Sequence, residues 1–247
     1  MKRIIQLSDL HITDTDVFPY GNDSRQNFVS TLDLIERVLP IDMIVITGDI
    51  GHDTLNTQIC SWLDIHLSPF EVPVHITPGN HDDTRLLASY FSKSSDLHGN
   101  ELYYALQLDS RWFIFLDTAE HTVSNSQLYW LQEILTECSH SRIHPVIFMH
   151  HPPALSGSLF MDRKYPFKRS EEFGEVLQIY NDLIPIFCGH YHAPKTVVWH
   201  NAVIHITPST CFEIDPFSSA FRLEHASPAL RVIDLTDHGV QSSVLRV

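Results

Sequence analysis

Ile41-Asp42-Met43-Ile44-Val45-Ile46-Thr47-Gly48-Asp49 is the stretch that decides the fold. Its apolar run, 41–46, reads as a buried strand, because a strand covered on both faces is continuously apolar rather than alternating. Gly48 breaks the strand and leaves Asp49 at its C-terminal tip, the edge where open α/β sheets bind ligands. One Gly-Asp after a strand is ordinarily a turn. Here four other strand-like runs end the same way. Residues 4–7 lead into Ser8-Asp9-Leu10-His11, and 72–77 into Pro78-Gly79-Asn80-His81-Asp82. Residues 145–149 lead into His150-His151-Pro152, and 184–187 into Cys188-Gly189-His190-Tyr191-His192. Turn chemistry does not explain five such loops on successive strands.

Asp9 and Asp49 are 40 positions apart, and Asp49 and Asn80 are 31 apart. Each interval holds one strand-helix-strand unit. Right-handed crossovers would make these strands parallel neighbours, with their C-terminal tips on one edge. The intervening helices are legible. Ser24 is an expected N-cap for a helix carrying Phe28, Leu32, Ile35 and Leu39 inward, stopped by Pro40. A second helix is predicted over 56–67, with Ile59, Leu63 and Leu67 inward, and a short one over 83–90.

After residue 90 the pattern changes. Strands at 102–108 and 111–116 form a hairpin at Asp109-Ser110. Ser124 caps a helix with Leu128, Leu131 and Leu135, and another helix covers 170–180. Residues 160–169, rich in aromatic and basic side chains, read as an irregular surface lobe that could rim a pocket. The C-terminal stretch is strand-like, at 196–199, 203–207, 229–235 and 240–246, with turns at His200-Asn201 and Asp237-His238-Gly239. Two strand-helix halves, each finished by hairpins, suggest two sheets packed face to face with helices outside.

The 247 residues fit one domain over 1–247, and 43% hydrophobic with 19% charged residues is a globular composition. No apolar run approaches the roughly 20 residues of a membrane span. A strand by Ile4 leaves no room for a signal peptide, so a cytoplasmic location is expected. Cys60, Cys138, Cys188 and Cys211 form no CxxC and read as reduced, buried thiols. A net charge of −14 disfavours stable nucleic-acid or anionic-membrane binding. It leaves room for a small anionic substrate, because metal ions reverse the local field.

The candidate metal ligands are Asp9, His11, Asp49, Asn80, His150, His190 and His192. They offer oxygen and imidazole donors suited to Mn, Fe or Zn, and no thiolate. They are too many for one tetrahedral site. One shared carboxylate gives two ions four protein ligands each. Two ions roughly 3.5–4 Å apart recur in phosphoester hydrolysis, where they clamp phosphate oxygens and activate a water. His81, beside Asn80, is the candidate catalytic acid for the leaving alkoxide. Asp82 either orients His81 or caps the helix that follows. His66, His140 and His238 are expected to stand outside the chemistry.

Asp9-x-His11, Gly48-Asp49, Gly79-Asn80-His81-Asp82, His150-His151 and Gly189-His190-x-His192 resemble, in order and spacing, the calcineurin-like metallophosphoesterases. Narrower cues are similar to the class III cyclic-nucleotide phosphodiesterases, the bacterial cyclic AMP phosphodiesterase type. These cues are Pro78-Gly79-Asn80-His81-Asp82, Gln127-Leu128-x-Trp130-Leu131, His150-His151-Pro152-Pro153, Met161-Asp162 and Thr207-Pro208-Ser209-Thr210-Cys211. The resemblance covers nearly the whole chain. It implies a four-layer αββα sandwich of two mixed β-sheets flanked by helices. It implies one ion on Asp9, His11, Asp49 and His192, a second on Asp49, Asn80, His150 and His190, and His81 at the phosphate or leaving group. Two departures lie where substrate is expected: no asparagine in 163–170, and an additional histidine in Gly51-His52-Asp53.

The expected function is thus a dinuclear metal-dependent phosphodiesterase for a small phosphodiester, 3′,5′-cyclic AMP or cyclic GMP. The alternatives are a glycerophosphodiester or phosphomonoester substrate, or a non-catalytic scaffold on the same fold. The scaffold is disfavoured because no ligand is missing. A homodimer is left open.

Overall fold

The computed structural model describes residues 1–14, 16–224, 227–237 and 239–247. Strand β1 (Lys2–Leu7) leads through helix α1 (Ser24–Glu36) to β2 (Met43–Thr47), and through α2 (Thr57–Leu67) to β3 (Val74–Thr77) and α3 (Thr84–Tyr90). A ribbon of β4 (Leu97–His98) and β5 (Glu101–Leu102) precedes the hairpin of β6 (Tyr104–Leu108) and β7 (Arg111–Phe115). Then come α4 (Asn125–Ser141), β8 (His144–Phe148), α5 (Leu159–Lys164), α6 (Ser170–Leu177) and β9 (Ile184–Cys188). The chain ends with β10 (Lys195–Trp199), β11 (Ala202–Ile206), the ribbon β12 (Glu213–Ile214) and β13 (Leu223–Glu224), β14 (Ala229–Thr236) and β15 (Gly239–Arg246).

β1, β2 and β3 are parallel neighbours, as crossovers of this length require. They belong to a sheet ordered β15-β14-β1-β2-β3, and a second sheet is ordered β10-β11-β9-β8-β7-β6. Both mix parallel and antiparallel pairs. Side-chain alternation sorts the second sheet into two faces. Phe113, Phe115, Val146, Phe148 and Phe187 join a core shared with the first sheet and with α1, α2 and α3. Ile114, Leu116, Ile147, Met149 and Ile186 join a separate core with α4 and α6. The layers run helix, sheet, sheet, helix: an αββα sandwich of the α/β class.

An aromatic ladder crosses the inner face of the second sheet. Tyr104, Phe115, Phe148, Phe187 and His205 succeed one another with ring centroids 4.6, 5.3, 5.5 and 5.0 Å apart. Cross-strand pairs of this kind contribute about 0.2–1 kcal/mol each.

Several local expectations are corrected. Asp23, not Ser24, caps α1, accepting the Gln26 N–H at 2.9 Å. The helix ends at Glu36, so Leu39 lies beyond it and is exposed, while Leu34 is buried. The lobe at 160–169 contains most of α5. The C-terminal strands divide. β10 and β11 finish the second sheet, whereas β14 returns to pair antiparallel with β1, tied by Arg3 donating to Asp234 at 2.7 and 3.2 Å. The buried run 229–233 explains this placement: β14 is an interior strand, and the more exposed β15 takes the edge. In the expected turn at Asp237-His238-Gly239, His238 lies outside the described residues. Among the described residues no helix is long and apolar enough to cross a membrane.

Candidate metal centre

Five strands deliver their loops to one edge. Backbone bonds join the first two loops: Asp9 N–H donates to Gly48 O at 3.1 Å, and His11 N–H to Asp49 O at 2.9 Å. Gly189 N–H donates to His150 O at 3.0 Å, joining two more. Asp9, His11, Asp49, His190 and His192 have φ of 52°, 45°, 53°, 66° and 49°. A left-handed backbone costs a non-glycine residue roughly 1–3 kcal/mol and persists only where its surroundings over-determine it. The glycines before the candidate ligands have a packing reason. A Cβ on Gly48 would overlap the His150 ring, one on Gly79 the Asp49 carboxylate, and one on Gly189 the Ser8 hydroxyl and Asp9 carboxylate. Each clears space for a side chain from another loop.

The donor atoms form two groups. Asp9, His11, Asp49 and His192 each place one within 4.8 Å of the others, as do Asp49, His150 and His190. Asp49 belongs to both. Its Oδ2 lies 3.4 Å from His150 Nε2, 3.8 Å from His11 Nε2 and 4.0 Å from His81 Nε2. Asp9 Oδ1 lies 3.2 Å from His192 Nε2, which is itself 3.1 Å from His11 Nε2. Carbonyl oxygens fix three tautomers. His150 Nδ1 donates to Thr47 O at 2.7 Å, His192 Nδ1 to Phe212 O at 2.9 Å, and His190 Nε2 to Tyr165 O at 3.2 Å. Each ring is left with its other nitrogen as the candidate ligand atom. His150 Nε2 is buried without a hydrogen-bond partner, which fits a site built for a metal.

Burial opposes charge throughout the site, and pairing overcomes it at the carboxylates. His192 beside Asp9 brings that carboxyl down to about 2, and His150 holds Asp49 well below the usual carboxylate range. Against burial, Asp49 pushes His150 up to about 9. Burial, with His192 adding to it, pushes His11 down to about 3.

Asn80 and His81 are exposed and line a pocket of about 330 Å³ together with Asp49, His52 and His190. His81 N–H donates to Asp49 Oδ1 at 3.0 Å, so its loop hangs on the shared carboxylate. Asp82 does not cap α3: Asp83 does, accepting Leu86 N–H at 3.0 Å. The Asp82 carboxylate instead accepts Ile50 N–H at 2.9 Å, Gly51 N–H at 3.3 Å and Gly79 N–H at 2.9 Å. It staples the Asp49 loop to the Asn80 loop.

Sequence reasoning did not find the other wall of the pocket. Tyr20, Phe160, Tyr165, Phe212 and Phe221 form it, with the Phe212 ring centroid 4.5 Å from that of His192 and tilted to it by 37°. In the sequence only the aromatic lobe at 160–169 points to it. A third group, His121 with His151 and His190, also brings donor atoms within 4.8 Å. His121 sits in a loop without a motif.

Two donor groups sharing one carboxylate at the strand tips of an αββα sandwich define a metal-dependent phosphoesterase. A family model described as calcineurin-like phosphoesterase matches residues 2–194, and the chain belongs to that family. Its members work with a dinuclear metal centre, for which this chain supplies the His/Asp cluster. A Fibrobacter succinogenes protein named probable cyclic nucleotide phosphodiesterase is 35% identical over 242 residues, covering 98% of this chain and 93% of its own. The Escherichia coli K12 protein named 3′,5′-cyclic adenosine monophosphate phosphodiesterase CpdA is 26% identical over 242 residues, covering 93% and 86%. The fold is shared with a dimetal phosphatase from Danio rerio, with a TM-score of 0.71 and 16% identity over 99% of this chain and 98% of that one.

Proposed function

We propose that this metal-dependent phosphodiesterase opens a 3′,5′-cyclic nucleotide, cyclic AMP or cyclic GMP, to the nucleoside monophosphate, with residues 1–247 acting as one catalytic domain. The observation that carries this reading is the aromatic wall facing the donor groups. Tyr20 lies 5.0 Å from Phe221, and Phe221 lies 5.8 Å from Phe160, in the pocket that Asp49 and His81 also line. Aromatic faces stack nucleobases at about 1–3 kcal/mol per base. The names of the two sequence relatives support the same substrate class.

We assign one ion to Asp9, His11, Asp49 and His192, and the other to Asp49, Asn80, His150 and His190. When bound, the ions supply Lewis acidity to the phosphoryl group and an activated water. The chain's residues do the rest. Asp49 holds both halves of the site in register and anchors the His81 backbone. A water-derived hydroxide bonds to phosphorus as the phosphorus–O3′ bond breaks, and His81 gives the departing oxygen its proton. Asp82 is a positioning residue, holding the loops at 50–51 and 79 together. Four buried free cysteines accord with a cytoplasmic location.

The test is a substrate panel with metal-replete enzyme. The value of kcat/KM should be higher for cyclic nucleotides than for a glycerophosphodiester or a phosphomonoester. A glycerophosphodiester turned over faster than cyclic AMP would overturn the nucleotide reading and leave the phosphodiesterase standing.

A further inference from the structure

Three of the four imidazoles in the two donor groups are oriented by main-chain carbonyls, those of Thr47, Phe212 and Tyr165. His11 differs. Its Nε2 faces the donor groups, and its Nδ1 meets Nδ1 of His52 at 3.3 Å. A neutral imidazole that offers one nitrogen's lone pair to an ion carries its hydrogen on the other. His11 then donates from Nδ1, His52 accepts on Nδ1, and the hydrogen of His52 sits on Nε2. That atom lies 3.9 Å from Asp53 Oδ1, an exposed carboxylate. The backbone pins His52 in place: its N–H donates to Ile12 O at 3.2 Å, beside the bridge between Ile12 and Gly51. The segment that follows His11 therefore also holds the ring that orients it. Position 52 is one of the two places where the sequence departs from the pattern it resembles.

We propose that His52 is a positioning residue for His11. It selects the His11 tautomer and ring orientation, and so sets the affinity of the Asp9, His11, Asp49 and His192 group for its ion, leaving the other group untouched. The inference rests on the ion assignment made above. Partners of metal-ligating histidines, when mutated, typically change metal affinity by roughly 10–100-fold.

The experiment is Mn²⁺ binding to the metal-free full-length protein by calorimetric titration, with spectroscopic counting of free Mn²⁺. Wild type should take up two ions. His52→Ala should weaken one binding step by about 10–100-fold and leave the other unchanged. His52→Asn should recover most of the loss, because its Oδ1 stands as many bonds from the backbone as the histidine Nδ1. His52→Gln, with its oxygen one bond farther out, should not. A merely structural role would lower both steps together and would not discriminate Asn from Gln. Two unchanged steps in His52→Ala, equal loss of both, or no advantage of Asn over Gln overturns the inference. If His52→Ala does not fold, the Asn–Gln comparison alone decides. A wild type that takes up fewer than two ions sinks the ion assignment, and this inference with it.

Discussion

The two donor groups share Asp49 and are both buried, but they are held differently. Asp9, His11, Asp49 and His192 are all buried, and Asp9 is enclosed by further bonds. His190 N–H donates to both its oxygens at 3.0 Å, Ser8 Oγ to Oδ2 at 2.6 Å, and Ser209 Oγ to its main-chain oxygen at 2.7 Å. The second group, Asp49 with His150 and His190, is buried as well, and His11, His190 and His192 all line the pocket beside exposed Asn80 and His81. Both groups reach the pocket, the first through His11 and His192 and the second through His190, but only the first is closed in by the bonds around Asp9. The buried Asp49 carboxylate is the ligand the two have in common.

Removing that carboxylate is the most severe way to break the comparison. Asp49→Ala should abolish turnover and release metal from both groups. Asp49→Asn keeps the shape and one oxygen donor, so it should retain some metal and hydrolyse poorly. Metal analysis beside kinetics decides. An Asp49→Ala protein that turns over with two ions bound would end the shared-ligand reading.

The next effect belongs to exposed His81, outside both donor groups. His81→Ala should keep both ions yet lose roughly 10²–10⁴-fold in kcat on cyclic AMP, whose ribose oxygen leaves as a poor alkoxide. The loss should shrink on a nitrophenyl ester, which needs little protonation to depart. The measurement is kcat for both leaving groups at matched metal occupancy. Equal losses rule out general-acid catalysis and leave charge stabilisation.

How far the sequence reveals this site follows from what each part depends on. Asp9, His11, Asp49, Asn80, His150, His190 and His192 lie within a few positions of strand tips, so local pattern and crossover spacing place them on one edge. The glycines at 48, 79 and 189 are visible as strand breakers, but their packing against His150, Asp49 and Asp9 is long-range. Asp23 and Ser24 are equivalent as cap chemistry, and only backbone geometry chooses Asp23. Asp82 and Asp83 present the same ambiguity, settled by bonds to residues 50 and 51 from another loop. The return of β14 to β1 spans more than 200 residues and has no local signal beyond its apolar run. The aromatic wall draws on residues near 20, 160, 212 and 221, which meet only in three dimensions.

Metal-free protein offers a gentler test, through pH. His150 stands at about 9 against an ordinary 6.5, so its ion pair with Asp49 stabilises the fold fully below pH 6.5 and is lost as pH rises through about 9. His192, raised beside Asp9, acts in the same direction. His11 works oppositely: kept neutral by burial, with a value near 3, it opposes folding increasingly as pH falls below 6.5. The metal-free protein should therefore lose Tm as pH rises from 6.5 towards 9. In the loaded protein the imidazoles are occupied by metal, and the alkaline decline should be much smaller. Thermal melts of both forms at pH 6.5, 7.5 and 9 check this. A metal-free Tm that tracks the loaded one would contradict the paired charges.

The smallest expected effects come from histidines outside both groups, and they calibrate the rest. His66 and His140 lie in the last turns of α2 and α4, and neither belongs to a donor group or lines the pocket. His66 Nδ1 donates to Trp62 O at 2.8 Å, and its ring packs 4.1 Å from the Trp62 ring. Alanine there removes a local bond and a contact near a helix C-terminus, where a basic side chain contributes about 0.3–1 kcal/mol. His66→Ala should lower Tm by a few degrees or less. His140 is exposed, and His140→Ala should leave Tm unchanged. Both variants should keep two ions and turn over within a few-fold of wild type. Alanine at His150, His190 or His192 should cost at least roughly 10–100-fold in metal affinity or activity, since even their hydrogen-bond partners are worth that much. The contrast is informative because alanine deletes an imidazole in every variant, so a general cost of losing a histidine would appear in both sets. Comparable losses of metal in His66→Ala and His190→Ala would mean that the donor groups are misplaced, whatever the strand-tip geometry suggests.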